Sequence, residues 1–553
     1  MSRRSTIGFY CLILLAATLN VGHIAKGTDD YFEISKNMSI FGKLYREINA
    51  YYVDDVDPTR FMRAGIDGML ESLDPYTNFI SASEIEDFRF STTGSYGGIG
   101  ANISEWEDKY IVMEAYEDDP AVEAGLKVGD EVIQIDNEVI RNKHEVDIRT
   151  LLRGQAGTQV VLLVQRGEEK DTRKISITRK EVKMENVPYY GMIDDKTGLI
   201  VLTNFYQEAG KEVRDAMTSL KNKNPNMESL ILDVRGNPGG LLHEAVNIVS
   251  TWVKNGELVC ETRGRMEGTQ KKYPTHDAPI DTAIRIAVLV NSRSASAAEI
   301  VTGALQDLDR GIVVGTRSFG KGLVQTTRAL NYNTQLKLTT AKYYIPSGRC
   351  IQSLDYSHRN SDGSVGKVAD SLKKPFKTHN GRTVYDGGGI EPDIEVKNEG
   401  NKAITNALIS QNMIFNFATQ YALTHEKIAS ARDFKVTDAI YKEFQSYVLS
   451  KKFEYESSAE KELVKFKEMV QDEHNYELVA KEFALIQNKL KEVKANELQD
   501  QKAEISRMLT TEIVKRYYFR KGMVESGFEN DECVLAALKI LNNPAEYKKK
   551  LVK

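Results

Sequence analysis

Residues 284–299 read IRIAVLVNSRSASAAE. The apolar run over 284–289 predicts a buried strand. The small residues after it crowd a turn, and an amphipathic helix is expected over 295–308. Ser296 and Glu299 fit the S-x-x-E capping box, which by itself accounts for that pair. A nucleophile at Ser296 would gain more from the same position. The helix N-terminus stabilises negative charge, and free N–H groups such as that of Ala297 could face an oxyanion.

Two further stretches carry chemistry. Residues 318–325 read SFGKGLVQ, with Lys321 between two glycines and ahead of an apolar strand. Close backbone approach there would desolvate the ammonium, and burial yields a neutral amine able to accept a serine proton. Gln325 is positioned to orient that amine. A phosphate-binding loop is the competing reading of this Lys, but Gly322 stands where G-x-x-x-x-G-K-[ST] needs Ser or Thr. Residues 232–241 read LDVRGNPGGL, a strand end, a glycine-rich turn and a helix start. Such a turn can present backbone N–H groups to a carbonyl oxygen, although tight βα turns of this composition are common.

Around these elements the pattern alternates. Strands are expected at 197–202, 229–234, 284–289 and 311–315, with helices at 208–221, 241–253 and 295–308. This is a layered α/β core spanning 181–400. Upstream, 91–180 is richer in turns. Ser95 to Ile103 reads SYGGIGANI, a Gly-rich turn running into a strand. The D-x-P-A-x-x-A-G-L-x-x-G-D pattern follows at Asp119–Asp130, then a strand over 131–135, a helix over 144–153 and strands over 159–166 and 172–178. This order resembles a PDZ domain. In that module Tyr96, Gly97, Gly98, Ile99 and Gly100 would form the loop that meets a peptide carboxylate, while the peptide adds a strand. A small β-barrel that binds nothing is the plainer alternative.

Taken together, the PDZ-like module, D-x-R-x-N-P-G-G, S-A-S-A-A-E and F-G-K-G-x-V-Q resemble the carboxy-terminal processing (tail-specific) serine proteases over roughly residues 35–400. The runs Lys337–Arg349 and Gly388–Asp393 look like that family too. The resemblance implies a crotonase-like α/β protease core with an inserted PDZ domain. It implies Ser296 as nucleophile, Lys321 as general base and Gln325 as the residue supporting the base. The oxyanion hole would use the backbone of Ala297 and of Gly239 or Gly236. No metal or cofactor is implied. The expected substrates are proteins or peptides bound by their C-termini. His243, close to the Gly-rich turn, allows a Ser-His variant. A PDZ scaffold with a vestigial protease fold and a crotonase-type acyl-CoA enzyme are the rivals from other classes. Intact Ser296, Lys321 and Gln325 oppose the first, and the PDZ module and export signal oppose the second.

The rest of the chain sets bounds. A net charge of −5 gives no basic field for nucleic acid. A mean hydropathy of −0.40 excludes a polytopic membrane protein. Residues 1–27 open with two Arg and an apolar run over 7–21, a pattern of export to the periplasm or cell envelope. An uncleaved segment would anchor the chain in the inner membrane. Residues 28–90 show helical spacing (Phe32, Ile34, Met38, Phe41, Leu44), read as a packed helical region. Of 39 Gly, 37 lie in the first 400 residues. Residues 401–553 therefore read as a long α-helical extension with charged solvated faces, able to support a homo-oligomer or an adaptor. Cys260, Cys350 and Cys533 are too widely spaced for a disulfide framework and read as structural thiols.

Overall fold

A computed structural model of the chain describes residues 31–143, 147–167, 171–360, 363–397 and 400–552. The expected export segment lies outside the described residues, as do positions 144–146 of the expected PDZ helix. Among the described residues no helix is long and apolar enough to cross a membrane.

The chain divides at residue 79 into two units. The first contains a helix over 31–51 and the helix Pro58–Glu71. Asp57 caps the second by accepting from Thr59 N (2.8 Å) and Arg60 N (3.2 Å), and Pro58 occupies the first helical position, where no N–H is needed. The helical spacing is therefore present, but the expected packed bundle is not. Phe32, Ile34, Met38 and Leu44 are exposed, and no residue of Pro58–Glu71 is buried. Periodicity sets the helices, but burying their apolar positions needs partner surface.

In the second unit the strands Ala101–Trp106, Lys109–Ala115, Asp130–Ile135, Gln159–Arg166 and Thr172–Thr178 form an antiparallel sheet in that order. They enclose a core that includes Ile99, Val112, Val132, Leu162 and Ile177. Arg166 makes a buried two-pronged pair with Asp130, both bonds 2.7 Å. Ala101–Trp106 lies at the sheet edge. One expectation is corrected here. Tyr96, Gly97 and Gly98 are not loop residues: Ser95–Gly98 is a strand paired antiparallel with Lys180–Lys183. That ribbon ties together the entry and exit of the inserted module. A side chain at Gly97 would strike Gly154 O, so its glycine serves packing. Only Ile99 and Gly100 connect the ribbon to the edge strand, and the Ile99 side chain is in the core.

The α/β core holds a sheet ordered Tyr189–Met192, Thr197–Val201, Ser229–Asp233, Arg285–Val290, Ile312–Gly315 and Ile394–Glu395. All neighbours are parallel except the first pair. The parallel strands are nearly all buried, as a sheet covered on both faces requires. Helices Ala209–Lys223, Leu242–Val249 and Ala297–Asp307 cover one face through a large apolar core. A second antiparallel sheet contains Leu323–Ala329, Gln335–Tyr344, Leu258–Arg263 and Lys271–Pro274.

What covers the other face of the parallel sheet was not expected. Val534, Ala537, Ile540, Leu541 and Tyr547, from the helices Glu532–Leu541 and Pro544–Lys550, pack on Leu199, Ile231, Ala287, Leu289 and Val314. Arg285 Nε donates to Leu541 O at 2.9 Å, and the Tyr547 hydroxyl accepts from Ile286 N at 2.9 Å. The extension is therefore not one charged appendage. Its middle helices build their own core around Phe417, Tyr441, Phe444 and Leu509, while its last two complete the α/β core. The physical reason is that a parallel sheet leaves two apolar faces and the chain upstream supplies helices for only one.

Candidate active site

The serine turn is held by short side chains. Ser294 Oγ donates to Val234 O (2.8 Å) and accepts from Asn291 N (3.0 Å), and Ala295 N donates to Asn237 O (2.9 Å). These bonds join the serine turn to the Gly-rich turn. Ser296 then adopts φ 57°, ψ −116°, outside the extended conformation usual for a helix cap and unfavourable for any residue but glycine. Capping alone does not require that strain, which costs of order 1–3 kcal/mol and clusters at functional sites. The capping box is present, and in it the Glu299 carboxylate accepts from Ser296 N at 2.9 Å.

Glu299 does more than cap. Its side chain is fully buried, and its other acceptor positions are filled by Ser318 Oγ (2.5 Å), Gly320 N (2.7 Å) and Lys321 N (2.9 Å). One carboxylate thus holds the backbone of both Ser296 and Lys321. Burial pushes it up to about 7, against the pull of these four donors. The Tyr343 hydroxyl repeats the link on the carbonyl side, within hydrogen-bonding reach of Ser296 O (3.2 Å) and of Lys321 O. Neither role was visible in the sequence. The S-x-x-E spacing signalled the Glu only as a cap, and Tyr343 is one tyrosine of 26.

The Lys321 loop has every N–H from 318 to 322 engaged. Ser318 N donates to Ile390 O, Phe319 N to Ser294 O, Gly320 N and Lys321 N to Glu299, and Gly322 N to Gln352 Oε1. Gly320 has φ 88°, and a Cβ there would meet Ser353 at 2.5 Å. The glycines flanking the lysine are therefore required by backbone geometry and by close packing.

The Gly-rich turn already engages the two glycines expected as oxyanion donors. Gly236 N donates to Asn291 Oδ1 (3.0 Å) and Gly239 N to Asn237 Oδ1 (2.8 Å), so both N–H groups are already used. Among the described residues, no protein acceptor engages the N–H of Ala297 or of Gly240. Gly239 contributes by its size. A Cβ on it would lie 2.7 Å from Ser296 Cβ and 2.8 Å from Ala297 N. Sequence could not separate these glycines, because the choice depends on which N–H groups the two asparagines claim.

A cavity of about 360 Å³ brings together Gly239, Gly240, Ser296, Ala297, Lys321 and Gln325. Gln325 Nε2 donates to Thr339 Oγ1 at 3.1 Å, fixing its amide. His243 is mostly exposed, has Glu244 at 3.5 Å and is not among the lining residues. Cys260, Cys350 and Cys533 are free thiols, and burial pushes Cys260 up to about 12.

One more contact bears on the site. Arg235, at the head of the Gly-rich turn, donates to both carboxylate oxygens of Asp531 (3.0 and 2.7 Å) as well as to Asp233. These anions hold the Arg235 guanidinium well above its ordinary range, although burial opposes them. Asp531 also caps the helix Glu532–Leu541 through Cys533 N and Val534 N. The end of the chain therefore grips the turn beside Ser296.

Comparison with known proteins follows the same division of the chain. Residues 196–356 match the model of peptidase family S41, residues 111–166 that of the PDZ domain, and residues 404–541 that of the C-terminal helical domain of PDZ-proteases. The chain is 34% identical over 353 residues to the carboxy-terminal-processing protease of Bartonella bacilliformis, covering 64% of this chain and 81% of that protein. It is 33% identical over 318 residues to a CtpA-like serine protease of Staphylococcus aureus, covering 57% of this chain and 62% of that relative. Among solved structures, the photosystem II D1 C-terminal processing protease aligns at 24% identity with a TM-score of 0.35, covering 66% of this chain and 93% of that chain.

Proposed function

The chain belongs to the carboxy-terminal-processing serine proteases of peptidase family S41, and from that premise we propose that it cleaves exported proteins at or near their C-termini through a Ser296–Lys321 dyad. The observation that carries this reading is the shared anchoring of the two residues: Glu299 accepts the backbone N–H of both, beside a cavity that both line. Lys321, as the neutral amine, takes the Ser296 proton, and Oγ attacks the peptide carbonyl. The N–H groups of Ala297 and Gly240 stabilise the oxyanion, with Gly240 replacing the glycines first considered. Lys321 then protonates the leaving amine, and water hydrolyses the acyl-enzyme. The strained backbone at Ser296 supports a working site over a vestigial one. The exposure of His243 weighs against a Ser-His variant.

The PDZ module supports the choice of substrate end. Among the described residues its strand Ala101–Trp106 is an edge strand, next to the Ile99–Gly100 connection, which suits addition of a peptide strand. Ser296→Ala and Lys321→Ala should each abolish cleavage of an unstructured protein, with circular dichroism unchanged. Mass spectrometry of a tail peptide provides the readout. Cleavage by Ser296→Ala at the wild-type rate sinks the assignment, and tail binding without cleavage by the wild type favours a scaffold.

A further inference from the structure

The catalytic cavity holds a second lysine that the dyad does not use. Lys337 lies on the strand Gln335–Tyr344, paired antiparallel with Leu323–Ala329 so that Gln325 faces Thr339 and Thr327 faces Lys337. Residues two apart in a strand share a face. Gln325, Thr327 and Lys337 therefore form consecutive positions on one face of the hairpin, and all three line the cavity with Ser296 and Lys321. Lys337 stands one rung beyond the Gln325–Thr339 pair, about 7 Å along the strand.

Its surroundings are unusual for a cation. Among the described residues lining the cavity there are two lysines and neither Asp nor Glu. No ion pair or hydrogen bond to another described residue engages the Lys337 ammonium. Three enclosed arginines of the core are ion-paired: Arg349 with Asp307, Arg382 with Asp309 and Asp393, and Arg235 with Asp233 and Asp531. A fourth, Arg310, donates to the backbone carbonyls of Trp252, Ile284 and Asp281. Burial holds the Lys337 ammonium below the usual lysine range, with no neighbouring carboxylate to offset it. A desolvated, uncompensated charge is costly unless an opposite charge arrives.

We infer that Lys337 is a specificity-determining residue that receives a carboxylate of the bound substrate within a few residues of the scissile bond. The inference rests on the cavity being the proteolytic site. The carboxylate has two sources, an acidic side chain or the free C-terminus of the tail, and both meet the same ammonium. Lys337 takes no part in proton transfer. It favours chains whose anion falls on this rung of the hairpin.

The test uses the full chain and a set of unstructured peptides. Glu replaces Gln in turn at each of the four positions on either side of the cleaved bond, and each peptide is made with a free or an amidated C-terminus. The wild type should show about a tenfold higher kcat/KM for the anionic member at one position or for the free terminus, the scale of a charge-assisted contact. The two arms thereby identify the source. Lys337→Met should bring that ratio close to one, Lys337→Arg should retain it, and Lys337→Glu should reverse it toward a Lys-bearing peptide. An anionic preference that is absent in the wild type, or that survives in Lys337→Met, overturns the inference. The same peptides are also titrated by fluorescence anisotropy against Ser296→Ala and Ser296→Ala/Lys337→Met. This binding arm reads the preference even if the wild type cleaves nothing, so failure of the protease reading and failure of the Lys337 inference are told apart.

Discussion

Replacing Asp531 tests whether the end of the chain is part of the catalytic core. Asp531 accepts two bonds from Arg235, at 3.0 and 2.7 Å, and two from the first turn of its own helix, at 3.0 and 3.2 Å. Asp531→Ala removes both roles, whereas Asp531→Asn keeps a cap oxygen and removes the charge. Losing a cap costs ~1 kcal/mol. Losing the pair leaves Arg235 with Asp233 alone. Both side chains of the pair are about one quarter exposed, so solvent screens it partly. We set that loss at about 1–2 kcal/mol, between the values for surface and buried pairs. Asp531→Ala should therefore destabilise by about 2–3 kcal/mol and Asp531→Asn by about 1–2 kcal/mol. Urea unfolding followed by near-ultraviolet circular dichroism measures both. Because Arg235 heads the turn that sets Gly239 against Ser296, kcat on a tail peptide should fall in both variants with KM little changed. In a double-mutant cycle with Arg235→Lys the two losses should not add. Stability within about 0.5 kcal/mol of wild type, the scale of a neutral surface change, together with unchanged kcat, would refute the coupling of the C-terminal helices to the site.

Three further outcomes are expected. Because burial raises Glu299 from an ordinary carboxyl value of 4.5 to about 7, its contribution to stability is fully present below pH 4.5 and is lost as pH rises through 7. The wild-type urea midpoint should fall across that window by the equivalent of about 3 kcal/mol. Glu299→Gln, which cannot titrate, should flatten the slope and strip a shared anchor from Ser296 and Lys321, and a slope unchanged in that variant rules the cause out. Gly239→Ala places a methyl 2.7 Å from Ser296 Cβ at a residue with φ 94°, so activity should vanish, and near-wild-type turnover would contradict the geometry. His243→Ala should keep kcat/KM within about twofold, since its side chain lies outside the cavity; a loss of more than a hundredfold would revive the Ser-His mechanism.

The architecture was legible wherever local pattern and burial agree. Apolar runs predicted the strands Ser229–Asp233 and Arg285–Val290 to within a residue or two, because a parallel strand buried on both faces must be apolar throughout. The PDZ strands over 159–166 and 172–178 were read at their observed bounds. Residues 96–98 of the expected loop were misread, because glycines that admit a neighbouring backbone have the same composition as glycines of an open turn.

Sequence by itself determined the residue types and their order: a serine at a strand-to-helix turn, a lysine between glycines, an N-P-G-G turn and a PDZ module. Those choices are local, set by backbone conformation over a few residues. The tertiary structure decided which groups meet. It gave Glu299 and Tyr343 to both Ser296 and Lys321 and gave Asn237 and Asn291 the N–H groups of Gly239 and Gly236. It also brought Asp531, 296 residues downstream, onto Arg235. Contacts of that separation leave no periodicity in the chain. They arise because a sheet with two apolar faces and a set of buried polar groups must each find partners, and only the folded chain supplies them.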